Sequence, residues 1–336
     1  MTIGRRRFAC LLAGAVLTAS RAVGQPRRLP LIGFLHTATA ESYAFDAAGF
    51  AQGLEEQGFV EAQNLAVDYR FANGQRERLA MLALDLVRRP VALIVAGGAA
   101  AALAVRAETT TIPIVAVSGF DLARLGLAAS LDRPGGNVTG VTFVTDMLMS
   151  KKLGFLRELV PRPRTIGYLA EDARAYASAP ALLRAIEERR SELRTAADAL
   201  GWQIVVAEVG SDRAYEAAFA TFAERRADAL VVAPSAVFAS DADDIIALTL
   251  RDGIPTMFER RADVVAAGLI SYGASRPDAW RQAGAYVGQI LKGATPADMS
   301  VLQAAKLELV INQTIAKSVG ITIPPSLLAQ ADEVVR

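Results

Sequence analysis

Cysteine and histidine are almost missing: the 336 residues hold one of each, Cys10 and His36. Cys10 lies in an N-terminal stretch that reads as a removable leader, so the rest of the chain has no thiol for disulfides, nucleophilic catalysis or metal ligation. A Ser-His-Asp hydrolase needs an imidazole, and His36 is its sole source; one residue past a strand end, it reads as a satisfied polar side chain beside a cleft. There is no G-x-S-x-G elbow and no phosphate loop ending in Gly-Lys-Ser/Thr, and the pair Gly97-Gly98 lacks the G-x-G-x-x-G spacing of a dinucleotide site. Neither sign of charge dominates, with 36 basic against 35 acidic residues. That balance gives no case for nucleic acid as a partner. Long apolar runs are lacking as well: the run Phe8 to Leu17 is too short to cross a bilayer as a helix.

That run defines the leader. Arg5, Arg6 and Arg7 precede it and small residues follow up to Ala22, Val23 and Gly24, the layout of a secretory signal over residues 1–24. Arg5-Arg6-Arg7-Phe8 is also similar to a twin-arginine signal, without the usual serine or threonine before it, so twin-arginine and general secretory export both stay open. Cleavage near Gly24 and Gln25 leaves 32 basic and 35 acidic residues, no membrane insertion and a periplasmic location.

What remains has the apolar content of a globular chain and the length of two lobes. Strand-length runs alternate with helical patterns: strand 29–35, helix 43–57 closed by Gly58, strand 64–71, helix 75–88, strand 91–95, helix 99–108 and strand 112–117. Short connections between them imply a parallel sheet covered on both faces, a doubly wound Rossmann-like lobe. The stretch L-D-R-P-G-G-N-V-T-G-V-T-F at 131–143 is a turn and a short strand, and it reads as the joint between two similar halves. After it come helix 147–160, strand 165–169, helix 180–200, strand 202–208, helix 213–225, strand 229–233, helix 239–251 and strand 254–258. Residues 268–275 read as a strand crossing back to the first lobe, followed by helix 277–291, strand 307–311 and helix 313–319. The expected architecture is thus α/β, two doubly wound lobes joined by a multi-strand hinge. The first comprises 29–143 with about 272–300, the second 144–271 with about 305–336.

In such sheets ligands bind beyond the carboxyl ends of the strands. The tips there are Thr37 to Thr39, Gly97 to Ala99 and Ser118 to Asp121 in one lobe, and Ala170 to Asp172, Pro234 to Val237 and Glu259 to Arg261 in the other. Candidate ligand-binding residues follow: Thr37, Thr39, Ser118, Thr142 and Ser235 as hydroxyls, Asp121 and Glu259 as charges, Phe120 and Tyr272 as apolar faces. Gly97 and Gly98 join them as the pair that lets a ligand approach backbone. These suit a small polar or zwitterionic ligand and call for no cofactor, metal or catalytic group. Asp241, Asp243 and Asp244 also permit a hard-metal site, but at a helix start they read as first-turn carboxylates at the positive end of the dipole.

The runs I-G-F-L at 32, G-L-E-E-Q-G-F at 53, N-L-A-V-D-Y-R-F-A-N-G-Q at 64, T-T-I-P-I-V at 110, R-P-G-G-N-V-T-G-V-T at 133, G-L-I-S-Y-G at 268, G-Q-I-L-K-G at 288 and L-V-I-N at 309 resemble the ABC transporter substrate-binding protein family that includes bacterial tryptophan- and tyrosine-type binding proteins. The resemblance covers about 29–335. It implies a periplasmic-binding-protein fold of type I, a monomer that holds an amino acid or aromatic amino-acid-like ligand between its lobes, and delivery to an ABC permease driven by a separate ATPase. A periplasmic subunit that reports ligand to a receptor, or an exported enzyme on the same scaffold, are the other readings. Two positions depart from the family pattern: Ala62 stands in place of a common glycine, expected to be harmless in a surface turn, and Leu122 in place of a proline, where the loop at the cleft edge is expected to differ.

Overall fold

The computed structural model describes residues 29–143 and 148–336. The expected leader, with Cys10, lies outside them, as does Met147.

The first lobe forms from the alternation β1 (Leu31–His36), α1 (Ala40–Glu56), β2 (Ala66–Phe71), α2 (Leu79–Val87), β3 (Leu93–Gly97), α3 (Ala99–Glu108), β4 (Ile114–Ser118) and β5 (Val138–Thr142). Here β3, β4 and β5 are buried along their whole length, and β3 and β4 accordingly read as nearly continuous apolar runs. The second half continues with α4 (Met149–Leu159), β6 (Thr165–Glu171), α5 (Pro180–Asp198), β7 (Gln203–Val209), α6 (Tyr215–Glu224), β8 (Ala229–Val232), α7 (Ala236–Ser240), α8 (Ala242–Arg251), β9 (Thr256–Phe258), α9 (Arg261–Val265) and β10 (Ile270–Ala274). It closes with α10 (Arg276–Leu291), β11 (Leu302–Gln303), β12 (Leu307–Asn312), α11 (Gln313–Ser318), α12 (Pro325–Gln330) and β13 (Glu333–Val335).

Two sheets result. The first has the order β11-β5-β4-β3-β1-β2 and is parallel throughout; the second has the order β13-β12-β10-β9-β8-β6-β7. Its one antiparallel pair, β10 with β12, departs from the all-parallel expectation. The chain leaves the second sheet at the end of β10, visits the first lobe through α10 and β11, and returns at the end it left from. The next strand must therefore run the other way.

The strand expected to cross back at 268–275 stays in the second sheet, pairing with β9 and β12, and the crossing starts only at Ser275. Ser275 N there donates to Lys306 O at 2.8 Å, so the outgoing and returning segments are bonded to each other. A further pass runs from β5 to α4. The joint 131–143 is tied to the returning chain, with Val301 N donating to Leu131 O at 2.6 Å and the Thr139 hydroxyl to Met299 O at 2.7 Å. Helix α10 seats against α1 so closely that a Cβ on Gly53 would lie 1.9 Å from Arg281 O. Only glycine permits that approach.

Both departures from the family pattern have a physical setting. Ala62 takes a left-handed φ of 62°, a conformation that glycine adopts freely. Leu122 is fully buried in the first-lobe core beneath the loop, where its side chain packs with Leu125 and Leu127. The expected single helix 239–251 is two helices, broken at Asp241. That carboxylate caps neither; it is buried, accepting from the Tyr215 hydroxyl at 2.6 Å and pairing with Arg213 at 3.0 Å, while Asp243 and Asp244 occupy the first turn of α8.

Ala267 has φ 115°, further from the ordinary left-handed basin than Ala62. A non-glycine residue held in such a region stores on the order of 1–3 kcal/mol. Ala267→Gly is expected to stabilise the protein by ~1 kcal/mol, since glycine's added freedom in the unfolded chain offsets part of the relief. An unchanged or lower midpoint in urea unfolding would contradict that strain.

Candidate functional site

The carboxyl ends of β1, β3 and β4 face those of β6, β8 and β9, and together they enclose a cavity of about 160 Å³. From the first lobe come His36, Thr37, Ala38, Gly97, Gly98, Gly119 and Phe120; from the second come Ala170, Glu171, Pro234, Ser235, Phe258, Glu259 and Arg260. A cavity needs roughly 10–15 Å³ to admit one water, so this one has room for a small molecule and not just for isolated waters.

Its floor is built on His36 and the glycine pair. Ala38 N donates to His36 Nδ1 at 3.0 Å, which leaves the proton of the neutral ring on Nε2. The ring lies among Phe34, Tyr43 and Trp280 with centroids 5.5–6.2 Å away. Burial first, then the nearby Arg276 and Arg260 cations, push its pKa down to about 3. A Cβ on Gly97 would stand 2.0 Å from His36 Cδ2, so the ring fits only against glycine. Gly98 has φ 100°, and a Cβ there would come within 2.9 Å of Thr37 Oγ1. The pair thus turns β3 into α3, bringing Ala99 and Ala100 at the helix start to the cavity wall. Amides in a first turn have no intrahelical acceptor and attract negative groups.

The walls carry far more charge than hydroxyl-based reasoning anticipated. Arg76, Arg189, Arg190, Arg260 and Arg276 line the cavity with Glu171, Glu259 and Asp263. Opposite charges meet in pairs: Arg76 with Glu171, Arg260 with Asp263, Arg190 with Glu208, Arg276 with Asp46 at 2.8 Å, and the buried Lys152 with Glu259. Guanidinium groups also lie over aromatic rings, Arg189 over Phe120 and Arg76 over Tyr176 each at 4.1 Å, Arg276 over Phe143 at 5.1 Å. No single segment reveals this set. The arginines come from a turn, from α5 and from helix starts, so only the fold brings them together.

Several contacts join the lobes across the cleft. Arg76 of the first lobe reaches Glu171 and donates to the Tyr176 hydroxyl at 2.6 Å, and Ser235 Oγ donates to the same Glu171. Thr39 N donates to Ser240 Oγ at 3.3 Å, and Arg189 Nη2 to Gly119 O at 2.8 Å. Leu182 of α5 is buried in the core cluster of the first lobe. The lobes are therefore in contact along both rims.

Of the residues expected at the site, Thr37, Gly97, Gly98, Phe120, Ser235 and Glu259 line the cavity. Five do not. Thr39 caps α1 and touches the opposite rim. Ser118 Oγ accepts from Phe120 N at 3.0 Å, and Asp121 Oδ1 from Ala123 N at 2.7 Å, so both shape the loop behind the wall. Thr142 donates to Leu302 O at 3.3 Å between the crossing segments. Tyr272 faces the core of the second lobe against Phe155, ring centroids 5.0 Å apart, with Lys151 above it, because β10 does not cross to the first lobe.

The family model described as ABC transporter substrate binding protein matches residues 35–335. A curated relative, the tyrosine-binding protein of Clostridioides difficile (strain R20291), is 22% identical over 271 residues, 80% of this chain and 75% of its own. Among solved structures, the ABC domain in complex with L-Trp from Streptococcus pneumoniae is 26% identical with a TM-score of 0.79, covering 91% of this chain and 100% of its own. A conserved domain protein from Vibrio cholerae is 24% identical, with a TM-score of 0.81 and the same coverage, and shares the fold.

The depressed pKa of His36 makes stability depend on pH. The unfolded chain takes up a proton below about pH 6.5 that the folded chain refuses until about pH 3, so stability present above the first value is lost as pH falls towards the second. Between pH 7 and pH 5 this group should cost ~2 kcal/mol, at ~1.4 kcal/mol per unit below the unfolded value. Denaturant titrations of the wild type and His36→Gln should differ by that slope; parallel pH profiles would mean the imidazole is protonated in the fold.

Proposed function

We propose, since the chain belongs to the ABC transporter substrate-binding protein family, that it captures an aromatic amino acid between its two lobes and hands it to an ABC permease driven by a separate ATPase. It does so outside the cytoplasmic membrane, in the periplasm, and it catalyses nothing. The observation that carries this reading is the cavity walled by both lobes at once, since a ligand there touches both halves of the hinge. The three kinds of wall suit such a ligand: first-turn amides of α3 and Thr37 for a carboxylate, acidic groups of the second lobe for an ammonium group, and Phe120, Phe143, Tyr168, Phe238 and Phe258 for a ring. The relatives whose names specify tyrosine and L-Trp favour the aromatic class.

Opening of the lobes admits the ligand, and closure commits it. To take a 1:99 closed population to 99:1, the ligand must favour the closed form by about 5.5 kcal/mol. Bonds to both lobes supply that difference.

Calorimetric and thermal-shift titration of the leaderless protein with L-tryptophan, L-tyrosine, aliphatic amino acids and sugars tests the reading. An aromatic amino acid at 100 times its Kd should add ~2.7 kcal/mol, a shift of a few degrees. A flat response to aromatic amino acids would remove this ligand class. Gly98→Val, folded but with its side chain in the cavity floor, should abolish binding; retained affinity would place the ligand elsewhere. Arg76→Ala removes the link to Glu171 and Tyr176 and should weaken binding by about tenfold, ~1.4 kcal/mol, with a larger radius of gyration in X-ray scattering. Unchanged affinity and radius would show that the link does not hold the lobes together.

A further inference from the structure

We propose that Gly74 is a positioning residue for ligand capture: seated on the short helix α7 of the second lobe, it fixes the angle at which the lobes meet and so the gap between the cavity walls. The inference rests on the reading that the lobes open and close about the cleft, and not on which ligand they hold.

The first-lobe side of the contact is a tight turn. Asn73 and Gly74 have φ of 55° and 74°, the left-handed pair of a type I′ turn, and Gln75 N closes it by donating to Ala72 O at 3.0 Å. The turn is bonded in addition to the tip of β1 that lines the cavity: Gly74 N donates to Thr37 O at 2.8 Å and Asn73 N to Ala38 O at 3.3 Å. Tip and turn therefore move as one body.

The second-lobe side is α7. Its residues Ala236, Phe238 and Ala239 line the cavity, whereas Val237 lies beneath Gly74 and Ser240 Oγ accepts from Thr39 N. A Cβ on Gly74 would stand 3.4 Å from Arg213 Nη2, 3.6 Å from Val237 Cγ2 and 3.8 Å from Val237 Cα. Those are already van der Waals contacts, so a longer side chain finds the helix and the guanidinium group in its way.

The seat is braced at both ends. Arg213 pairs with Asp241 at 3.0 Å, and Asp241 accepts from the Tyr215 hydroxyl at 2.6 Å, so the carboxylate that separates α7 from α8 also ties the seat to α6. At the other end Ser235 Oγ accepts from Val237 N at 3.0 Å and Phe238 N at 3.1 Å. The same hydroxyl donates to Glu171, the residue that Arg76 reaches from just beyond the turn. Closure of packed lobes ends where their surfaces meet. Because α7 faces the cavity with some residues and carries the opposite lobe with others, the place where Gly74 comes to rest sets the gap a ligand must bridge.

Two kinds of variant test the seat. Residues 25–336 contain no cysteine, so Gly74→Cys/Val237→Cys gives the leaderless protein just two thiols. Val237 Cα and Cγ2, the neighbours of its Cβ, both lie within 3.8 Å of a Cβ placed at 74, which is disulfide reach. Treated with diamide, the pair should close to an intramolecular disulfide, and the oxidised protein should show in X-ray scattering the radius of gyration of the two lobes in contact. Thiols that stay free, or an oxidised protein with a larger radius, overturn the contact. Gly74→Asn keeps the turn, because asparagine tolerates the left-handed region, and puts a longer side chain on the seat. Titrated by calorimetry with L-tryptophan, L-tyrosine and L-leucine, it should bind about tenfold more weakly than the wild type, with a larger radius at saturation. Gly74→Asn/Val237→Ala, with two methyl groups removed from beneath the turn, should recover most of both. A loss that Val237→Ala leaves in place would mean that residue 74 only shapes the turn and overturns the assignment, as would a Gly74→Asn protein of wild-type affinity and radius. If Gly74→Asn fails to fold, or if the wild type binds none of the three amino acids and the proposed ligand class falls, the cross-link decides the seat by itself.

Discussion

Pairing of buried charge is the constraint on which the cleft depends. Arginines crowd a partly enclosed space between two sheets, where an isolated charge is costly. Arg76, Arg190, Arg260 and Arg276, together with Lys152 behind the wall, each face a carboxylate, and several of these carboxylates come from elements distant in sequence. Asp46 is on α1 and Arg276 at the start of α10, 230 positions away, so the cleft wall and the tight α1–α10 seam are stabilised by one contact. The consequence for binding is that the wall largely neutralises itself. A ligand with balanced charge fits it, and a strongly charged one would have to break a pair.

Chain routing explains how such a wall opens without coming apart. Three passes link the lobes, and two are hydrogen-bonded to each other through Ser275 and Lys306. Sliding of one lobe over the other would break those bonds, whereas a small rotation about them would not, so hinge motion is favoured over shear. The same routing reverses β12 relative to β10 and keeps Tyr272 in the second core. Thr142 likewise lies outside the cavity lining, its hydroxyl bonded to Leu302 of the neighbouring β11.

The two-lobed plan was legible because buried parallel strands and the glycines that end them leave local signals. Gly97 and Gly98 could be placed at the cavity wall from sequence, since a strand tip that turns tightly into a helix there needs residues without side chains. Glu259 and Ser235 followed from the same rule about carboxyl ends. The arginines did not, because Arg76, Arg189 and Arg276 carry no motif; each reads locally as a solvated helix or turn residue, and its role depends on what the other lobe presents. Ser118, Thr142 and Tyr272 stand outside the cavity lining for a related reason. A hydroxyl at a strand tip has several backbone partners within reach, and only coordinates decide between those and a ligand.

Closure sets opposing demands on the rims. Contacts such as Arg76 with Glu171, Thr39 with Ser240, and Leu182 against the first-lobe core form whenever the lobes meet, with or without a guest. If they were strong, the lobes would stay shut and a ligand could not enter. A binder that responds to its ligand needs these contacts to fall short of the cost of closing, with the remainder supplied from the cavity. A largely buried pair such as Arg76 with Glu171 has its attraction offset by desolvation, and one apolar side chain is worth ~1.5–3 kcal/mol, so the rim can assist closure without dictating it. Control of the equilibrium then passes to groups inside the cavity, and strongest among them is any whose hydrogen bonding is incomplete until the ligand arrives.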